Sequence, residues 1–92
     1  MNARRSKMRI FLDMLNSILD RGGKAKPTHI LYGANLSHDR LKMYLEYLLE
    51  KDFVIEVVNE GRTYYQITEK GRRFVAEFAK IEELSKAFGI SL

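Results

Sequence analysis

The chain has no cysteine. Disulfides are therefore excluded, and so is any metal site built on thiolates. That fits a reducing, intracellular compartment. No apolar run approaches the roughly 20 residues needed to cross a membrane. The N-terminus, MNARRSKMRIFLDML, starts out basic like a signal peptide. Asp13 interrupts its apolar part, however, and no small-residue cleavage site follows. A cytoplasmic location with no membrane partner is expected. Histidine is scarce as well. His29 and His38 stand apart on different segments, with no H-x-x-x-H pair and no carboxylate array, so no metal or cofactor is expected. Gly22-Gly23 lacks the pattern of a phosphate-binding loop. Ser37 adjoins His38, but neighbours on a helix do not face one another, so no nucleophile–base pair forms there. No residue set supports catalysis, and an enzyme is not expected. Internal repeats and low-complexity stretches are also missing.

What remains is 92 residues, 46% of them hydrophobic, with five tyrosines and five phenylalanines. This is enough for one domain with a small core, which a second subunit would help to stabilise. The net charge is +4, unevenly spread. Residues 1–30 hold seven Lys/Arg against two acids, residues 31–59 three against five, and residues 60–92 six against five. A basic end suits a polyanion. Solubility alone produces the same sign, so charge leaves both readings open.

Periodicity supplies the elements. Met8, Phe11, Leu12, Leu15, Ile18 and Leu19 recur at helical spacing and predict a helix over 4–20. Arg4, Arg5, Lys7 and Arg9 crowd its first turns, where the helix dipole favours acids. They either serve something outside the helix or are simply solvated. Gly22-Gly23 breaks this helix. Residues 25–28 suit a brief edge strand beside a later hairpin, its pairing limited by Pro27. Thr28 is placed to cap a second helix over 29–34, with Ile30, Leu31 and Tyr32 toward the core. Ala34-Asn35-Leu36 leads to Ser37, a good N-cap for a third helix ending near Lys51-Asp52. In it Leu41, Tyr44, Leu45, Leu48 and Leu49 form one apolar stripe. Phe53–Val58 and Arg62–Ile67 predict a hairpin, turned at 59–62 with Gly61 supplying a positive φ. Tyr65 and Ile67 fall on one side of its second strand, Tyr64 and Gln66 on the other. Thr68 caps a last helix from Glu69 to about Phe88. The front of its stripe of Phe74, Phe78, Ile81, Leu84 (or Ser85) and Phe88 can cover the domain core, while the rear, from Phe78 on, overruns so small a domain. A copy of the same helix is the simplest cover, so a homodimer through an antiparallel helix pair is expected. Helix one covering the stripe within one subunit is the alternative.

Helix, tight turn, helix, hairpin is the order of a winged helix-turn-helix. The expected fold class is α+β, mainly α: three helices, a two-stranded wing and a C-terminal dimerisation helix. Residues 1–68 form the domain and 69–92 the helix appended to it, as one structural unit. Such a domain binds double-stranded DNA with the N-terminal end of its third helix in the major groove. Here that end offers Ser37, His38, Arg40, Lys42 and Met43. Arg40 suits a guanine edge, His38 a guanine or a phosphate, and Met43 a thymine methyl. Asp39, Glu46 and Glu50 repel phosphate and limit entry to the first turn and a half. Phosphate contacts are expected from Arg4, Arg5, Lys7, Lys24, Lys26, Tyr32, Asn35, the wing's Arg62, and Tyr64. Packing competes for Tyr32, Tyr44 and Tyr65, and plain solvation for each lone cation. A protein-interaction module on the same fold is the alternative function. The basic N-terminal arm together with Arg62 argues against it.

Thr28-His29-Ile30-Leu31-Tyr32-Gly33-Ala34-Asn35-Leu36-Ser37, followed by Leu41, Tyr44 and Leu45, resembles the archaeal winged-helix proteins of the "ten-a" chromosomal type and related small regulators. Ile67-Thr68-Glu69-Lys70-Gly71 matches the strand-to-helix step of many winged-helix proteins. The similarity runs from about Lys7 to about Phe78. It implies an archaeal, nucleoid-associated DNA-binding protein, either chromatin-organising or transcription-regulating. It also implies a dimer joined by an antiparallel coiled coil of the last helices. The chain departs from that pattern at its end, where Gly89 stops a short last helix, so any such coil is brief.

Overall fold

The structure is a computed structural model that describes residues 5–90. Its elements follow in the order α1 (Lys7–Leu19), β1 (Lys24–Ala25), α2 (Pro27–Gly33), α3 (His38–Glu50), β2 (Val54–Asn59), β3 (Arg62–Ile67) and α4 (Glu69–Ala87). This is the expected mainly helical α+β fold, with the hairpin after the third helix.

Ser6 starts α1. Its backbone is extended (φ −68°, ψ 160°), and its hydroxyl accepts the Arg9 N–H at 3.1 Å. The helix thus begins later than the expected residue 4. Arg5 precedes it, and Arg4 lies outside the described residues. The buried surface of α1 is broader than one stripe. Ile10 and Met14 are buried beside Phe11, Leu12, Leu15 and Ile18, whereas Met8 is exposed. The cause is its position: α2, the sheet and α4 all pack against α1, so apolar residues are needed around most of its circumference. Met14, Leu15, Ile18, Ile30, Leu48 and Val54 are the largest fully buried side chains. Each such aliphatic contributes about 1.5–3 kcal/mol relative to exposure.

The segment after Gly22-Gly23 differs from expectation. Only Lys24 and Ala25 form a strand, opposite Gln66 and Tyr65 of β3. Pro27 does not weaken that strand. It opens α2 at the first helical position, where its missing N–H costs nothing. Lys26, not Thr28, is the N-cap residue, and it makes no side-chain cap bond. Ile30 and Leu31 are buried as expected, but Tyr32 is 79% exposed and belongs to the surface.

The Ala34-Asn35-Leu36-Ser37 string builds the turn between α2 and α3. Asn35 takes the left-handed conformation (φ 54°), which asparagine tolerates better than most residues. This lets the Leu36 N–H reach back to the Leu31 carbonyl at 3.0 Å, closing the end of α2. Leu36 is buried and anchors the turn. Ser37 then caps α3, its hydroxyl accepting the Arg40 N–H at 3.2 Å.

The hairpin turns through Glu60 (φ 53°) and Gly61 (φ 76°). Two successive left-handed residues make the two-residue turn whose twist matches the strands. β1 joins the free edge of β3, so the sheet has three strands in the order β1-β3-β2, not the two of the hairpin alone. Tyr65 packs on the core and Ile67 is buried in it, as the alternation predicts. Thr68 joins sheet to α4. Its hydroxyl accepts the Gly71 N–H at 3.0 Å and lies 2.6 Å from the Asp52 carbonyl, to which it donates. Gly71 is buried against the Phe53 carbonyl, where a Cβ would collide with backbone. This contact accounts for glycine in the T-E-K-G string. Lys70 also donates to the Lys51 carbonyl (2.8 Å) and so satisfies the end of α3.

Candidate nucleic-acid interface

The N-terminal end of α3 is an exposed ridge. His38, Asp39, Arg40, Lys42 and Met43 are all exposed, while Leu41, Leu45 and Leu48 hold the opposite side in the core. Among the described residues, the side chains of His38, Arg40 and Lys42 make no hydrogen bond or ion pair. Ser37 differs, because its hydroxyl is occupied in capping. The outermost row of the helix is Asp39, Met43, Glu46 and Glu50, so its C-terminal half is acidic. Met43, Glu46, Tyr47 and Glu50 line a shallow depression of about 240 Å³ there. Arg40 and Lys42 flank the row on either side and keep the first turns cationic.

The other expected contacts fall into separate groups. Lys24 lies over the ring of Tyr64, 5.2 Å from its centroid, on the outer face of the sheet. Arg62 is exposed at the far end of the same strand, opposite Asn59. Lys26 is half-buried at the start of α2. Lys7 lies 4.9 Å over the ring of Tyr47, which places the start of α1 beside the C-terminal half of α3. Tyr32 and Asn35 are exposed near the inter-helix turn. Arg5 is not a free cation. Its guanidinium donates to the Asp13 carboxylate (2.9 Å), the Ala34 carbonyl (2.6 Å) and the Asn35 carbonyl (3.0 Å). Tyr44 and Tyr65 pack on the core, as their competing reading had it.

Asp13 was the residue the sequence did not mark. It sits eight positions from Arg5, two turns along α1, and nothing in a linear reading couples the pair to a turn thirty residues away. Lys70, which closes the end of α3, was likewise hidden in a common motif.

Among the described residues, three groups titrate away from their ordinary values. Burial, with help from Arg21 and Lys26, pushes the His29 imidazole down. Its Nδ1 is buried without a partner among the described residues. An open notch of about 370 Å³ between α1 and α2 lies beside it, lined by Ser17, Asp20, Arg21, His29, Tyr32 and Gly33. Burial and then Glu56 raise the Tyr65 phenol. A hydrogen bond to Glu82 raises the Arg9 guanidinium. That Arg9–Glu82 ion pair ties α1 to α4, and Arg9 also lies 5.6 Å over the Phe78 ring.

Along α4 the expected dimer stripe divides in two. Phe74 stacks on Phe53 (centroids 4.9 Å apart) and packs against the chain's own core. Phe78 is half-buried beneath Arg9, and Ser85 is half-buried too. By contrast, Ile81, Leu84 and Phe88 are 50%, 59% and 72% exposed. Among the described residues no group of three or more His, Asp or Glu side chains could hold a metal. Among the described residues, no helix is long and apolar enough to cross a membrane.

Known structures share this fold. Sso10a-2 of Sulfolobus solfataricus, described as a DNA-binding protein, is 28% identical with a TM-score of 0.76, over 92% of this chain and 90% of that one. F93 from STIV, described as a winged-helix DNA-binding protein, superposes with a TM-score of 0.72 at 12% identity, over 87% of this chain and 92% of that one. MepR, a transcription regulator of a Staphylococcus aureus efflux pump, gives 0.75 at 16% identity, over 86% of this chain and 61% of that one. At those two identities the likeness is one of fold. No curated protein matches by sequence. The sequence model of the winged helix-turn-helix family matches residues 4–86, nearly the whole chain, and the chain belongs to that family.

Proposed function

We propose that this protein binds double-stranded DNA as a homodimer and acts as a transcription regulator or a chromatin-associated architectural protein. The observation that supports this best is the exposed, unpaired cationic end of α3, capped by Ser37 and backed by a buried apolar stripe. Its likeness to Sso10a-2, a DNA-binding protein, points the same way. A helix so mounted enters the major groove by its first turns. Arg40 meets a guanine edge, His38 a base or phosphate, and Met43 a thymine methyl. The acidic second half of α3 stays clear of the phosphates. Arg62 at the wing tip and Lys24 beside Tyr64 hold the flanking backbone. The exposed Ile81, Leu84 and Phe88 of α4 meet the same surface of a second copy, setting two recognition helices on one duplex. Such a protein works in the cytoplasm, on the nucleoid.

The test is anisotropy of a labelled random-sequence duplex titrated at several salt concentrations. Each phosphate neutralised contributes about −0.9 to the slope of log K against log salt, and a slope of about −4 or steeper is expected. Arg62→Glu is expected to weaken retention on heparin. Unchanged retention removes the wing contact. No binding at low salt removes the DNA reading and leaves a protein-interaction module on this fold.

A further inference from the structure

Arg5 has the charge of a phosphate contact but the surroundings of a brace. One guanidinium nitrogen is shared between the Asp13 carboxylate (2.9 Å) and the Ala34 carbonyl (2.6 Å), while the other donates to the Asn35 carbonyl (3.0 Å). Both carbonyls belong to the turn that joins α2 to α3. Asn35 is held in the left-handed region of the turn (φ 54°); the N–H groups of Ala34, Leu36 and Asn35 already close α2 on the Ile30, Leu31 and Tyr32 carbonyls, and Arg5 takes the next two, those of Ala34 and Asn35. A planar, forked donor can satisfy two carbonyls and a carboxylate at once, which a lysine ammonium cannot do with the same geometry. Asp13 sits on α1, the helix at the centre of the core. It therefore ties the guanidinium to the helix against which α2, the sheet and α4 all pack.

We propose that Arg5 and Asp13 form a clamp that positions the recognition helix for DNA by holding the α2–α3 turn, rather than Arg5 contacting DNA phosphate itself. This rests on the DNA-binding reading above. It assigns Asp13, an acid, a supporting role in binding a polyanion. Charge alone predicts the reverse: removing Asp13 raises the net positive charge and frees a cation, and both changes tighten non-specific binding.

The experiment compares the wild-type chain with Arg5→Gln, Arg5→Lys, Asp13→Asn and the double variant Arg5→Gln/Asp13→Asn. Each is checked for folding by circular dichroism and titrated with the labelled random-sequence duplex at several salt concentrations. The clamp predicts that Asp13→Asn weakens binding about fivefold, the scale of a half-exposed charged hydrogen bond. Arg5→Gln is expected to weaken it similarly, Arg5→Lys to restore little, and the double variant to be no worse than Arg5→Gln. The salt slope stays that of the wild type. A phosphate-contact role predicts instead that Arg5→Gln lowers the slope by about 0.9 and that Asp13→Asn binds more tightly; either result overturns the clamp. Amide hydrogen exchange of residues 33–37 in the free protein is the second readout. It is expected to speed up in both single variants while exchange in α1 is unchanged. Unchanged exchange at the turn overturns the proposal even where the wild type fails to bind DNA, so failure of the clamp and failure of the DNA reading are distinguishable.

Discussion

Single residues set local costs that measurements can isolate. Burial, with Arg21 and Lys26 nearby, holds the His29 pKa below the ordinary 6.5. The unfolded chain therefore binds more protons than the folded one between that lowered value and 6.5, and stability rises with pH across this window. The contribution is fully present above pH 6.5 and is lost as pH falls below it toward the folded value. His29→Gln is expected to flatten this part of the stability profile, as read by urea denaturation on either side of the window. Gly33 is fixed by close approach rather than by dihedral angle. A Cβ there would lie 2.6 Å from the Cβ of Ser17, where α2 crosses α1. Gly33→Ala is expected to cost about 1–3 kcal/mol, measured by thermal or denaturant unfolding, since neither helix can move aside without disturbing the core. Neither effect is visible in composition, because each depends on what a different helix places nearby.

Elements were legible in proportion to how locally they are determined. The stripe of α3, its Ser37 cap, the Gly61 turn and the Thr68 cap all follow from spacing and residue type within a few positions. Thr68→Ala removes an acceptor for the Gly71 N–H and a donor to the Asp52 carbonyl, and is expected to cost about 1–2 kcal/mol in unfolding experiments. The start of α2 was less legible. Pro27 suits both an edge strand and a first helical turn, and the short pairing of Lys24 and Ala25 with β3 leaves it to the helix. Tyr32 fits helical spacing toward the core, yet α2 is only seven residues long, and Ile30 and Leu31 already fill the contact with α1 and α3. For α1 the reverse holds. A helix packed on several sides shows no clean stripe, so Ile10 and Met14 were overlooked and Met8 overvalued.

At the scale of the molecule, α4 presents one surface to the domain and another to solvent. One side of it closes the domain through Phe74 on Phe53 and Glu82 on Arg9. The other leaves Ile81, Leu84 and Phe88 in solvent. Leu84→Glu is expected to convert a dimer to a monomer in sedimentation equilibrium while leaving the circular dichroism of the fold unchanged. Its DNA affinity is expected to fall as well, because two linked recognition helices bind with a high effective concentration for the second. A wild-type monomer would remove the dimer from the proposal without touching the DNA reading. The order of elements, and with it the winged helix-turn-helix fold, was set by the sequence alone, since caps, turns and stripes are local properties of the chain. So was the cationic beginning of α3, because helical spacing separates Arg40 and Lys42 from the buried leucines. Which cations are free was decided only by the tertiary structure. Arg5 and Arg9 carry the same charge as Arg40, but packing brings Asp13, two turn carbonyls and Glu82 within reach of the first two. A charge is available to a partner only if the fold has not already paired it, and that pairing is made across the chain, not along it.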